Sequence, residues 1–225
     1  MGLLDFIERL FGGRATRLDR QYASQQVELL DLPASLTLGE VDFTLRPIGA
    51  ADRDAILRFA RSLPEHDLLF LRRDITQPEN VDAWLRDIRE GSYTSIAAWS
   101  DNEIIGYATV ASDRMTWTRH VAELRVLVAP ALRGVGLGRL LTEQGFAIAR
   151  ERGVRKMIAQ MTTDQEAAVR AFERMGFERE AVLRGQVIDR EGALHDLLIM
   201  GLDVNEFRAR LDLARAQAQL TPPEL

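Results

Sequence analysis

The chain is expected to fold as an α/β (α+β) protein: a mixed, mostly antiparallel central sheet flanked by helices, with an N-terminal helical arm and a C-terminal helix. Three observations lead there. Short apolar runs with hairpin punctuation fill the stretch before residue 128, one β-α-β unit follows them, and two further strands surround a late turn.

Residues 1–40 read as an accessory arm. Leu3, Leu4, Phe6, Ile7, Leu10 and Phe11 recur at helical spacing, Gly12–Gly13 breaks the pattern, and a polar segment runs to Pro33. The apolar face of this helix is expected to pack on the domain or on a second copy of the chain. Membrane-surface contact is the alternative, weakened by Asp5 and Glu8 where lysines would serve better. The same two acids interrupt the apolar run, so the segment resembles neither a signal nor a transit peptide.

From Asp42 the pattern changes. DFTLRPI is a short strand with a terminal proline. ADRDAILRFARSL is an amphipathic helix with acids in its first turn. PENVDAWLRDIREG opens on a proline suited to a first helical turn and closes on glycine. Trp84 in that helix shares a spacing with Leu85 and Ile88 and reads as core. YTSIAAWS and IIGYATVA are strands flanking Asp101–Asn102–Glu103, a hairpin signal. The loop SDRMTWTRH leads to the strand VAELRVLV; beyond the glycines, GRLLTEQGFAIARERG is a helix ending at Gly153, backed by the strand VRKMIAQMT. DQEAAVRAFERMG is a helix beginning at an acidic cap, Asp164, and ending at Gly176. FEREAVLRGQVIDREGALHDLLIMGL supplies two strands around a turn at Arg190–Gly192, and VNEFRARLDLARAQAQL a polar helix before Pro222–Pro223. The main domain is therefore 41–203, ordered β-α-α-β-β-β-α-β-α-β-β, with a C-terminal helix and tail over 204–225. Strands near the chain end and two amphipathic arms point to a homodimer.

Composition removes several function classes. A net charge of −5, from 29 Lys and Arg against 34 Asp and Glu, argues against a nucleic-acid partner. The absence of cysteine excludes disulfides, thiolate zinc sites and a cysteine nucleophile, and makes the cytoplasm the simplest compartment. His66, His120 and His195 are far apart and show no ligand spacing, so no metal is expected. No apolar run reaches the length of about 18 residues that a membrane-spanning helix needs.

The segment LRVLVAPALRGVGLGRLL, residues 124–141, holds the strongest chemical signal. A strand feeds a loop of bare glycines and then a helix, so several backbone N–H groups can converge on one set of oxygens under the positive end of the helix dipole. Arg133 and Arg139 add charge, and a pyrophosphate is the natural tenant. A dinucleotide site would want G-x-G-x-x-G after the first strand of the unit. Here the spacing is Gly134-x-Gly136-x-Gly138, and four strands precede it. A purely structural glycine turn and coenzyme A are the other readings.

Arg133-x-x-Gly136-x-Gly138 after VLVAP resembles the cofactor-binding signature of the GNAT superfamily of N-acetyltransferases. AAVRAFERMGF, residues 167–177, resembles the second signature of that superfamily, and the element order over roughly 42–202 is similar to its fold. The resemblance implies acetyl-CoA as co-substrate. It implies backbone contacts from Val126, Leu127 and Val128 to the acyl-pantetheine arm, along a splayed strand edge. It places the N–H groups of Gly134, Val135, Gly136, Leu137, Gly138 and Arg139 around the pyrophosphate. Pro130 donates no ladder hydrogen bond, so pairing is expected to stop where the arm enters.

The implied reaction is attack by an amine on a thioester. Freeing the lone pair of a lysine-like amine at pH 7 costs about 4.6 kcal/mol unaided, so a positioned base is useful. Glu123 is the candidate, on the strand that should carry the thioester. With Arg125 it occupies the face opposite Leu124, Val126 and Val128. Its spacing before the Arg-Gly loop resembles that of bacterial GNAT protein-lysine acetyltransferases, whose general base lies there. The bland alternative is a pairing of Glu123 with Arg125 or Arg119 on a solvated face. Where many family members carry a tyrosine able to protonate the leaving thiolate, this chain has Phe172, expected to pack on the cofactor arm or the core. Gln165 stands where relatives often have asparagine, and its amide is expected to hydrogen-bond the pantetheine. Tyr93 and Tyr107 cannot be placed from sequence. With no cysteine for an acyl-enzyme, direct transfer in a ternary complex is preferred.

The acceptor is less specified. Arg114, Trp117 and Arg119 precede the candidate-base strand and are candidates for the acceptor entrance. SLPEHDLLFLRRDITQPENVDAWLRDI is loosely similar to the first helical region of the protein-lysine acetyltransferases, and its acids Asp67, Asp74, Glu79 and Asp82 would attract a cationic amine. A protein lysine and a small cationic amine fit equally. A non-catalytic acyl-CoA-sensing module is the alternative from another function class.

Overall fold

Two features of the strand sequences organise the structure: nearly continuous apolar runs in the middle strands, and turn chemistry that folds them back on one another. The computed structural model describes residues 29–113 and 115–205. The strands are β1 (Ala34–Leu38), β2 (Val41–Pro47), β3 (Tyr93–Ser100), β4 (Glu103–Ala111), β5 (Val121–Val128), β6 (Lys156–Thr162), β7 (Glu178–Ile188) and β8 (Leu194–Asp203). The helices are α1 (Arg53–Ser62), α2 (Pro78–Arg89), α3 (Leu137–Glu151) and α4 (Glu166–Arg174). The strands form one eight-stranded sheet in the order β1-β2-β3-β4-β5-β6-β8-β7. Every neighbouring pair is antiparallel except β5–β6, which α3 connects as a crossover. This mixed, mostly antiparallel sheet is the architecture the sequence leads one to expect.

Local chemistry sets the boundaries. The β3–β4 hairpin closes with Asp101 at φ 49° and Asn102 at φ 64°, two left-handed residues that match the strand twist. Pro78 opens α2 at a position whose N–H would be unpaired anyway. Asp52, ahead of α1, takes a two-pronged contact from Arg46 at 2.8 and 3.0 Å and the N–H of Gly49 at 2.8 Å. Burial works to raise its pKa, but these hydrogen bonds outweigh that and hold the carboxyl below its usual range.

Successive residues of β3–β5 feed two different cores. Ile96, Ala98, Ala108, Val110, Ala122 and Leu124 pack with α3, α4 and β8 on one face. Ala97, Trp99, Tyr107 and Leu127 pack with α1 and α2 on the other, where Trp84 is buried and donates to Ser95 Oγ at 3.2 Å. Helices on both faces explain why these strands read as almost unbroken apolar runs rather than as alternating ones. Helix α3 lies close against the sheet at Gly106, where an added Cβ would meet the Leu127 carbonyl oxygen at 2.9 Å and Leu141 Cδ1 at 3.1 Å. Backbone cannot yield as a side chain can. Gly106→Ala is therefore expected to destabilise the protein by roughly 1–3 kcal/mol, read as a lower denaturation midpoint in urea.

Two expectations need correction. Residues 34–38, placed by the sequence in the helical arm, form β1, an antiparallel edge strand that turns into β2 at Gly39, φ +63°. Leu36 and Leu38 ahead of a Gly–Glu turn were the available signal. Asp164 does not cap α4, whose N-cap is Gln165 without a capping side-chain bond. The N-terminal amphipathic helix and the C-terminal helix, on which the homodimer expectation leans, lie outside the described residues, as does Arg114. Among the described residues no helix is long and apolar enough to cross a membrane.

Candidate active site

The site begins where β5 and β6 part. Their parallel ladder covers only Val121↔Lys156, Ala122↔Met157 and Glu123↔Ile158. Beyond it β5 stays with β4 as far as Gly106↔Val128, whereas β6 follows β8 to Thr162↔Leu197. The two halves of the sheet diverge as a V. Leu124–Val128 thus present an edge toward β6 with no strand against it. The splayed edge expected from sequence is present, but it opens at Glu123 and not at Pro130, and the pairing that persists to Val128 is on the β4 side.

The mouth of the V leads to the glycine loop. After Val128 the chain makes a single turn over Pro130–Leu132, then runs through Arg133 into Gly134 (φ +82°) and Gly136 (φ +100°), the latter capping α3. Both angles belong to the left-handed region, which glycine enters without strain. Among the described residues, none accepts a hydrogen bond from the N–H groups of Gly134, Val135, Gly136, Leu137 or Gly138. Five donors at a helix N-terminus thus await an external acceptor. Arg139 in the first turn pairs with Glu143 at 2.9 Å.

Glu123 sits at the fork of the V. It is 4% exposed, with Oε1 accepting from Arg125 Nε at 2.7 Å. Arg72 Nε lies 3.1 Å from Oε2, yet out of hydrogen-bond alignment, so that oxygen is buried without a hydrogen bond. Glu123 does pair with Arg125, but on a covered face rather than a solvated one. Arg125 is buried too, stacked 5.2 Å from the Tyr93 ring, with Nη2 unpartnered. Burial works against its charge, but the Glu123 carboxylate and Tyr93 outweigh that and hold the guanidinium firmly protonated. Beside this group lies a cavity of about 20 Å³ lined by Arg72, Arg73, Tyr93, Tyr107, Thr109 and Arg125, among others. Burial pushes the Tyr107 phenol far up, against a smaller opposing pull from Arg125.

The segment between α1 and α2 runs over all of this. Asp67 pairs with Arg133 at 2.5 Å, the His66 carbonyl accepts from Gln165 Nε2 at 3.0 Å, and Arg72 approaches Glu123. Asp74 pairs with Arg190 at 3.0 Å. Gln165 is consequently committed within the protein, since its Oε1 also accepts from the Thr162 N–H at 3.3 Å. The amide keeps a second N–H and a second lone pair for a further partner. Phe172 packs edge-on against Phe177 at 5.0 Å, on the core side of the expectation. Trp117 is 92% exposed and Arg119 is exposed, away from any packed wall.

Sequence reasoning missed Arg72. The signal was a pair of arginines directly after the apolar run LLFL, a position that brings charge to a buried wall. The histidines are also not scattered in space. His66 and His195 meet with ring centroids 5.8 Å apart, next to Asp164. A groove of about 620 Å³ lies elsewhere, between α1 and the β3–β4 turn, lined by Arg46, Asp52, Arg58 and Trp99.

A family match decides where this chain belongs. The acetyltransferase (GNAT) family matches residues 58–177, more than half of the chain. The chain belongs to this family. Streptothricin acetyltransferase of Streptomyces lavendulae is 32% identical over 108 residues, 46% of this chain and 56% of that protein, so the chain spans only about half of that relative. An L-methionine sulfoximine/L-methionine sulfone acetyltransferase of Pseudomonas aeruginosa is 27% identical over 168 residues, 74% of this chain and 97% of that protein. Among solved structures, yncA of Salmonella typhimurium with its cofactor acetyl-CoA superposes with a TM-score of 0.61 at 25% identity, covering 73% of this chain and 95% of that one. Both GNAT motifs fall inside the matched segment or at its end, from Arg133 to Phe177.

Proposed function

We propose that this chain transfers the acetyl group of acetyl-CoA to the primary amine of a small molecule that bears its own anionic group, by direct attack in a ternary complex. The observation that carries the reading is the parting of β5 and β6 at Glu123, which sets a buried carboxylate at one end of an open strand edge whose other end leads to a cluster of free N–H groups.

The residues fit the co-substrate. The N–H groups of Gly134–Gly138, with Arg133, would hold the pyrophosphate, and the open edge of Leu124–Val128 would pair with the amides of the pantetheine arm. Asp67 then has to yield Arg133 to phosphate. Bound acetyl-CoA supplies an acetyl thioester, whose carbonyl an uncharged amine can attack. Glu123, with Oε2 free of hydrogen bonds, removes the proton that the incoming amine carries at neutral pH. Arg72 and the unpartnered Nη2 of Arg125 supply donors for the anionic group of the acceptor. A zwitterion would thus meet a carboxylate at its amine end and guanidinium groups at its anionic end. The names of the relatives, which specify streptothricin and L-methionine sulfoximine, support a small acceptor.

The sensing alternative draws on Phe172, which carries no proton for the leaving thiolate. One assay separates the readings: free-thiol release from acetyl-CoA with amino-acid-like amines, polycationic amines and a lysine-rich protein in separate wells. Release with the first set alone is expected. Release only with the lysine-rich protein would reassign the acceptor. Silence in all wells, from folded protein that binds acetyl-CoA, would favour the sensor.

A further inference from the structure

We infer that His66, Asp164 and His195 form a binding site for a divalent transition ion of the zinc class. A ring nitrogen of each histidine and a carboxylate oxygen of Asp164 lie within 4.8 Å of one another. Ligands of a tetrahedral zinc sit about 3.4 Å apart, given metal–ligand bonds of about 2.0–2.1 Å. Modest side-chain rotation closes that gap, and two of the three side chains have room to rotate. His66 is 40% and Asp164 58% exposed, and His66 Nε2 already approaches Asp164 Oδ1 at 3.2 Å.

The second shell is built as well. In the tautomer that carries its proton on Nε2, His195 donates to Asp189 Oδ2 at 2.8 Å, and Nδ1 keeps its lone pair for an ion. Asp189 is itself fixed, since its Oδ1 accepts from the N–H groups of Glu191 and Ala193 at 3.0 and 2.8 Å. A histidine oriented by a carboxylate on its other nitrogen is the arrangement that metal-binding imidazoles use. Two imidazoles and one carboxylate with an open fourth position suit zinc, nickel or copper better than magnesium or calcium, which want oxygen alone.

The ligands come from three places: the segment between α1 and α2, the end of β6, and β8. An ion here would pin the segment that carries Asp67 and Arg72 to the far half of the sheet, across the mouth of the V. Metal occupancy would then limit how readily Asp67 releases Arg133. The two acids and two histidines are drawn from positions about 130 residues apart at the extremes, which is why spacing gave no hint.

The test is competition for Zn²⁺ between the full-length protein and a chromophoric chelator, with binding rather than turnover as the readout. Its failure is therefore distinguishable from failure of the acetyl-transfer reading. The wild type is expected to withdraw one equivalent. His66→Ala and His195→Ala should each weaken affinity tenfold or more. His66→Ala leaves the backbone carbonyl that Gln165 uses, so its fold should persist, checked by an unchanged melting temperature without zinc. Asp189→Asn, which touches no ion, should weaken affinity about tenfold through His195. Equal zinc affinity in the wild type and the His66→Ala/His195→Ala double variant would overturn the proposal.

Discussion

Glu123→Gln is expected to lower kcat for acetyl transfer by about 10²–10⁴-fold while leaving the dissociation constant for acetyl-CoA within about threefold. Glutamine keeps an oxygen for Arg125 Nε, so the pairing at the fork retains its geometry while the carboxylate's proton affinity is lost. The residual rate should climb about tenfold per pH unit below the pKa of the amine, because only free amine then reacts. The wild type, which can bind the ammonium form and deprotonate it in place, should show a shallower rise. Removing a charge from a buried pair also costs stability, so the comparison is made below the melting range of both proteins. A variant with wild-type kcat would remove Glu123 from the chemistry, and a variant that has lost acetyl-CoA affinity would make it a structural residue of the fork.

Gly136→Asp is expected to weaken acetyl-CoA binding at least tenfold, about 1.4 kcal/mol or more. Two effects add. The residue sits at φ +100°, where any side chain is strained, and a carboxylate would stand among the N–H groups that await phosphate oxygens. Nothing lies within 4 Å of a Cβ built there, so the fold has room for it. Gly136→Ala carries the strain without the charge. The difference between the two variants isolates the electrostatic part, which should shrink as salt is raised. Equal affinities for Gly136→Asp and the wild type, by calorimetry, would mean that the loop does not hold the pyrophosphate.

What the sequence made legible was mostly local. The hairpin at Asp101–Asn102, the proline that opens α2 and the glycines that end α2, α3 and α4 are backbone requirements written in single residues. The same holds for the Gly134–Gly138 stretch, whose N–H groups have no acceptor among the described residues because glycine and the helix start leave them so. Strand β1 was missed because a short edge strand carries only two large apolar residues, Leu36 and Leu38, beside the small Ala34 on the face it buries. The point where β5 and β6 part was out of reach for a different reason. It depends on β6 staying in register with β8 some 40 residues later, a long-range pairing that no local pattern encodes. Arg72, the Gln165–His66 contact and the histidine pair share that cause. Each joins the segment between α1 and α2 to the sheet where its two halves part, Arg72 to β5 and the other two to the β6–β8 side, and only the assembled fold brings them into contact. Glu123 was found by position, yet its surroundings were misjudged, because alternation along β5 does not reveal that α2 and the 64–76 segment cover the face it points to.

The central claim is that acetyl-CoA occupies the V between β5 and β6, with its phosphates on the glycine loop. Amide hydrogen exchange, resolved to single residues and followed with and without acetyl-CoA, tests it most directly. The N–H groups of Gly134–Gly138 have no acceptor within the described structure and should exchange fast in the free protein. Saturating acetyl-CoA is predicted to slow them, together with amides of Leu124–Val128 that face the open edge. Protection confined instead to the groove around Arg46, Asp52 and Trp99, with the glycine loop unchanged, would contradict the account.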